Sequence, residues 1–134
     1  AEAAAEKGIR LDFEFHEDTL TETPKSTISL LEGVNHPNAR TLWQPPLQMS
    51  PADRLEGLEA VKPWMSNLHC NYFAQEAWPD IQPLKDGTEE WRKYLDAAEA
   101  LPGERWILIE HVRDHSPHQF EEDAVALRAW LEKE

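Results

Sequence analysis

At 134 residues the chain is long enough for one domain with a sizeable core, yet well short of the roughly 250 residues of a complete eight-unit (β/α)8 barrel. A composition of 40% apolar and 29% charged residues with six Trp is that of a globular protein, and a formal net charge of −13 argues against nucleic acid as a partner, because a phosphate backbone would be repelled. No apolar run approaches the ~18 residues needed to cross a bilayer, so no membrane association is expected, and the single cysteine, Cys70, excludes an internal disulfide and fits a reducing, cytoplasmic compartment.

The chain opens with an Ala-rich segment, Ala1 to Lys7, followed by Gly8, which reads as the tail of a helix and its terminating glycine. A domain rarely begins in the last turns of a helix, so the chain is expected to start inside a β/α unit, as a fragment would. Leu11-Asp12-Phe13-Glu14-Phe15-His16 then alternates strictly between apolar and polar, which predicts a first strand over Ile9 to His16. Thr23 and Pro24 supply an N-cap and a first-turn proline for a helix carrying Ile28, Leu30, Leu31 and Val34. A second strand over Arg40 to Gln44 is closed by Pro45-Pro46, since proline cannot continue a central ladder.

Ser50-Pro51 repeats the capping device for a second helix with the stripe Leu55, Leu58 and Val61. Met65 to Cys70 reads as the third strand and Asn71 to Gly87 as a long loop, of the kind that is usually functional or mobile. Thr88 is the expected cap of a third helix, whose buried face is Trp91, Tyr94, Leu95 and Ala98. The densest apolar run, Trp106 to Ile109, lies in a fourth strand expected over Arg105 to Val112. Ser116 and Gln119 stand at capping-box spacing before a last helix, predicted to bury Phe120, Ala124, Leu127 and Leu131.

Strands alternating with helices imply parallel strands joined by right-handed crossovers. An open parallel sheet and a half barrel both satisfy that order. No Gly-rich phosphate loop follows the first strand, which weakens the nucleotide-binding open sheet. The preferred fold class is α/β: a (β/α)4 half barrel with parallel strands and outer helices. It forms a single domain over residues 1–134, with 1–8 the tail of a preceding helix and four β/α units over 9–134.

Each strand carries one strong metal-ligand or amide side chain near its C-terminal end: Glu14, Gln44, His69 and Glu110. Alternation puts these four on the face that also carries Asp12, Leu42, Asn67 and Leu108. Parallel α/β folds place their chemistry at this end of the strands, so one shared site is the economical reading. Two carboxylates, an imidazole and an amide carbonyl suit Mn²⁺, Mg²⁺ or Co²⁺ better than a thiolate-loving metal. Read one at a time, each of the four has a plain alternative as a salt-bridged or core residue. Glu110 stands out, because a carboxylate left uncompensated after four apolar residues is costly. His36, His111, His115 and His118 fall on turns and outward positions and read as surface residues.

These segments also carry a family resemblance. Glu14-Phe15-His16 with Thr19-Leu20-Thr21, then Trp43-Gln44-Pro45, then Glu110 with Arg113 beyond it, resemble the C-terminal half, strands five to eight, of xylose isomerase-like TIM barrels, the sugar isomerases and sugar phosphate isomerase/epimerases. In that family the four strands supply Glu, Asp, His and Glu to one divalent metal, and the matching positions are Glu14, Gln44, His69 and Glu110. Gln44 replaces the usual Asp, which should lower metal affinity, and Leu47 stands where relatives carry a further His. The resemblance implies a sugar or sugar phosphate substrate and enediolate proton transfer with Glu14 and Glu110 as the catalytic pair. It implies His16 and Arg113 as holders of substrate oxygens. Trp43, Tyr72, Phe73 and Trp78 are then candidates for an apolar wall or lid.

Four parallel strands leave two unpaired edges and an open inner face. The expected partner is therefore a second copy, giving a homodimer, or a separate N-terminal half-barrel. Two functional classes follow: a metal-dependent sugar or sugar phosphate isomerase/epimerase, or the metal-carrying half of one, and a non-catalytic half-barrel whose main property is self-association. A metal-dependent nuclease would need more His ligands and a basic groove, and the sequence supplies neither.

Overall fold

Four short strands, β1 (Leu11–Glu14), β2 (Ala39–Trp43), β3 (Met65–Cys70) and β4 (Ile107–Ile109), pair in chain order and all in parallel. They belong to a computed structural model that describes residues 1–73 and 80–132. Around the sheet run α1 (Glu2–Ala5), α2 (Pro24–Val34), α3 (Pro51–Val61), α4 (Thr88–Glu99) and α5 (Pro117–Leu131). The architecture is the expected α/β half barrel of parallel strands with outer helices.

Capping chemistry starts three of the helices. At α2 the Thr23 hydroxyl accepts from Ser26 N at 3.1 Å while the Ser26 hydroxyl accepts from Thr23 N at 3.2 Å, a reciprocal box, and Asn35 ends the helix in the left-handed region at φ 45°. Ser50 caps α3 through Asp53 N, and Ser116 caps α5 through Gln119 N. Two expected caps differ from what forms. Thr88 is the first helical residue of α4, not its cap, because a 3-10 turn over Leu84–Gly87 runs directly into the helix and the Thr88 hydroxyl donates back to Lys85 O. The side chain of Gln119 does not return to Ser116; it donates to Asp123 and accepts from Arg113.

The core lies on one face of the sheet. Phe15, Trp43, Leu68 and Cys70 point outward and meet Leu58 and Val61 of α3, Trp91 and Tyr94 of α4 and Leu127 of α5. Trp43 packs edge-on against Tyr94, with ring centroids 5.0 Å apart, and Trp91 stacks on Trp130. Burial raises the Cys70 thiol well above its ordinary pKa, so it packs as a small apolar group. On α4 the buried face is the one the periodicity predicts: Trp91, Tyr94, Leu95 and Ala98. Gly87 is required where the chain turns into α4, because a Cβ there would run into the Tyr72 ring.

Helix α5 departs from its expected stripe. Phe120 and Leu131 are about half exposed, at 50% and 51%, and the line facing inward is Gln119, Asp123 and Leu127. The cause is a backbone donor: Leu84 N needs an acceptor, and the buried Asp123 carboxylate accepts from it at 2.9 Å. Strand β4 is also shorter than the predicted Arg105 to Val112. Its pairing with β3 continues one bond further through Glu110 N to Cys70 O, at 3.2 Å.

The other face of the sheet carries Asp12, Leu42, Asn67 and Leu108, partly or largely open to solvent, with Leu108 45% exposed. Asn67 bridges strands there, donating to Asp12 and accepting from Trp106 N. A buried ion pair fixes the loop at the sheet's C-terminal end. Arg54, which sits on the inward face of α3 beside Leu58 and Val61, donates to Pro46 O and Leu47 O and pairs with Glu90 at 3.0 Å. Glu90 also accepts from the Tyr94 hydroxyl; burial and that carboxylate together push the Tyr94 pKa upward. Leu55, predicted to share the stripe, lies at its margin. Replacing Arg54 by Ala leaves the largely buried Glu90 carboxylate without its counter-charge and two loop carbonyls without their donor, and is expected to cost about 3 kcal/mol. Urea unfolding is the check, with the midpoint falling at an unchanged slope.

Candidate metal and proton-transfer site

Parallel strands of period 2 bring the residues that follow their last pleat to one mouth of the sheet. There His69, near the end of β3, stands between the last residue of β1 and the residue after β4. Its Nδ1 lies 3.3 Å from Glu14 Oε1 and 3.5 Å from Glu110 Oε2. One donor atom from each of the three side chains falls within 4.8 Å of the others. Two donors about 2.1 Å from a shared cation at octahedral or tetrahedral angles are about 3.0–3.4 Å apart, so these spacings are those of a loosely drawn ligand set.

The donor chemistry passes a stricter test. His69 Nδ1 is buried and makes no hydrogen bond, although two carboxylates face it. A buried polar atom without a partner is unfavourable in a protein interior. With Nδ1 unprotonated, as metal ligation requires, its lone pair would be repelled by both carboxylate oxygens, and a cation between the three removes the conflict. The three residues therefore fit a divalent metal.

A cleft of about 500 Å³ opens beside this cluster, lined among others by Glu110, Gln44, His16, Asn71, Phe73 and His111. Gln44 donates its amide to Phe15 O at 2.9 Å, which leaves its carbonyl as the coordinating atom the amide can still offer. His16 holds its Nδ1 against Glu17 O at 2.8 Å. That carbonyl raises the His16 pKa above its ordinary value despite some desolvation, helped by the charges of Glu14, Glu110 and Glu17.

Three assignments change with the structure. Trp43, expected at the substrate, is wholly buried among Trp91, Tyr94 and Leu58 on the helix side of the sheet. Its neighbour Gln44 faces the cleft, and adjacent strand residues cannot both do so. Arg113 does not line the cleft: the chain leaves β4 into a 3-10 turn, and the guanidinium donates to Gln119 on α5 at 2.9 Å with Asp114 3.7 Å away. His111, expected at the surface, lines the cleft with Nε2 3.5 Å from Glu110 Oε1 and its ring edge-on to Phe73. Alternation past Glu110 misplaces it because the strand has already ended at Ile109. Of the lid candidates, Phe73 lines the cleft, Tyr72 packs against the core and beside Gly87, and Trp78 lies outside the described residues.

Asn71 escaped the sequence reading altogether. It is buried, donates from Nδ2 to Glu110 Oε2 at 3.1 Å, and its backbone carbonyl accepts from Trp91 Nε1. Its position directly after a strand's C-terminal end was the available signal.

No family model matches the chain, and no curated protein does. Solved structures do. The crystal structure of AsbF from Bacillus anthracis, described as a probable 3-DHS dehydratase involved in petrobactin synthesis, superposes with a TM-score of 0.77 at 18% identity, covering 99% of this chain and 53% of that one. A xylose isomerase-like TIM barrel protein from Mycobacterium smegmatis, solved in complex with magnesium, superposes with a TM-score of 0.63 at 20% identity over 96% of this chain and 46% of its own. The chain has the fold of half a TIM barrel of this kind. The half-barrel thus spans about half the length of the solved structures it matches. Among the described residues no helix is long and apolar enough to cross a membrane.

The position of Trp43 carries a prediction. Trp43→Ala should lower stability by about 3–5 kcal/mol, read by thermal or urea unfolding, and should leave metal affinity unchanged at temperatures where the variant is folded.

Proposed function

We propose that this half-barrel carries the divalent-metal site of an enzyme that moves a proton next to a carbonyl in a sugar or sugar phosphate, as an isomerase or epimerase. The observation that carries the reading is the buried, unpartnered Nδ1 of His69 between the carboxylates of Glu14 and Glu110. Glu14, His69 and Glu110 would hold the metal, with the Gln44 carbonyl as a fourth, uncharged donor. Mn²⁺, Mg²⁺ or Co²⁺ suits this oxygen-rich set. A bound divalent cation supplies charge stabilisation for the oxygen of an enediolate.

The remaining work falls to the protein's own groups. Glu14 and Glu110 reach the cluster around His69 from opposite edges of the sheet, one from the first strand and one from just after the fourth, and Glu110 lines the cleft, so a carbon held between them could lose a proton to one and regain it from the other. His16, raised in pKa, offers a hydrogen bond to a substrate hydroxyl or phosphate oxygen from the ring nitrogen that does not face Glu17. The cleft volume of about 500 Å³ is sufficient for a small sugar. The likeness to a probable dehydratase supports a second reading, elimination of water from a hydroxylated carbonyl compound, which begins with the same proton removal.

The site would be completed by a second half-barrel, from another copy of this chain or as an N-terminal half. Ile9 and Leu11 near β1 and Trp106 and Leu108 near β4 leave apolar surface at both sides of the sheet, where such a half would pack. Sedimentation at micromolar concentration is expected to show a dimer; a stable monomer favours the separate half.

Calorimetric titration with Mn²⁺ tests the site. Wild type should bind one equivalent, with both Glu14→Ala and Glu110→Ala losing at least ~10-fold in affinity, and the same concentration of metal should raise the melting temperature of wild type more than that of either variant. Absence of binding by wild type, alone and with its completing half, leaves the self-associating, non-catalytic half-barrel. Incubation of the completed barrel with candidate sugars in deuterated water separates the chemistries: exchange of the hydrogen beside the carbonyl without loss of water supports isomerisation or epimerisation, and loss of water supports elimination.

A further inference from the structure

We infer that Asn71 is the positioning residue for Glu110, setting which carboxylate oxygen is turned toward His69; the inference rests on the metal reading above. Asn71 is 4% exposed and lies directly after β3, the strand that carries His69. Its Nδ2 donates to Glu110 Oε2 at 3.1 Å, the same oxygen that stands 3.5 Å from His69 Nδ1. The other oxygen, Oε1, faces His111 Nε2 at 3.5 Å. The oxygen that faces the imidazole is therefore the one to which Asn71 donates.

The orientation of the amide supports a dedicated role. Asn71 Oδ1 is buried and has no hydrogen-bond partner. A buried, unpaired carbonyl is unfavourable, so the side chain keeps this orientation for its donor and not for its acceptor. Turning the amide over would set Oδ1 against a carboxylate oxygen, a repulsive contact. The backbone of Asn71 is anchored independently, because its carbonyl accepts from the buried Trp91 Nε1 at 2.8 Å. That bond survives any side-chain substitution and keeps the base of the residue in place. A donor on a rigid base, aimed at the ligating oxygen, is the arrangement by which neighbouring groups orient metal-binding carboxylates and raise affinity.

The test uses an isosteric pair. Asn71→Thr keeps a hydroxyl donor and Asn71→Val has the same shape without one, so packing changes are common to both. Mn²⁺ affinity is read by calorimetry and the geometry by the visible absorption of the Co²⁺-loaded protein. The expected result is a loss of about 10-fold in Mn²⁺ affinity and a shifted Co²⁺ band for Asn71→Val, with Asn71→Thr recovering part of both. Wild-type affinity and an unshifted band in Asn71→Val, with binding still lost in Glu14→Ala, overturn the role of Asn71 and leave the metal site standing. No Mn²⁺ binding by wild type, or binding unaffected in Glu14→Ala, overturns the metal reading itself.

Discussion

Two carboxylates turned toward one imidazole nitrogen that makes no hydrogen bond to either is the constraint on which the mouth of this sheet depends. Each of Glu14 and Glu110 would be at ease in solvent by itself. Brought together around His69, they form a pocket of negative potential that water meets only partly and a cation meets fully. Around it, Asn71 donates to one oxygen of Glu110 and His111 lies 3.5 Å from the other, while the Gln44 amide is tied back to Phe15 O.

What brings these residues together is the parallel sheet and its period. Because every strand runs the same way, the ends of β1, β3 and β4 reach one rim, and because side chains alternate, the rim residue of each strand turns away from the core. The opposite face is packed against α3, α4 and α5, and its rigidity comes from the Trp43, Trp91 and Tyr94 cluster and from Arg54, which ties the Pro46 and Leu47 carbonyls to the helices. A change on the core side of this sheet therefore acts on stability, and a change on the rim acts on the site, even when the two residues are neighbours like Trp43 and Gln44.

The half-barrel geometry also explains why some apolar side chains stay uncovered. Leu108 lies on the inner face, which a closed barrel would fill with facing side chains, and Ile9, Leu11 and Trp106 flank the edges where further strands would pair. The matched structures are about twice as long as this chain, in line with a fold that continues beyond four strands.

Strand alternation, Ser/Thr-Pro helix starts and the order of elements made the α/β half-barrel legible from the residues alone, because these signals are local and depend on two neighbours or on a short period. The same alternation picked out Glu14, His69 and Glu110, whose convergence follows once the strands are parallel. Tertiary structure decided what periodicity does not reach. Trp43 went to the core because alternation gives the cleft only one of two adjacent residues, and the resemblance had assigned it to the other side. Asp123 displaced Phe120 from the inward face of α5 because a backbone N–H 39 residues earlier in the chain, at Leu84, required an acceptor. His111 and Asn71 joined the site because β4 stops at Ile109 and β3 at Cys70, and beyond a strand's last pleat the direction of a side chain is set by the packing of the loop, which no repeating pattern in the sequence records.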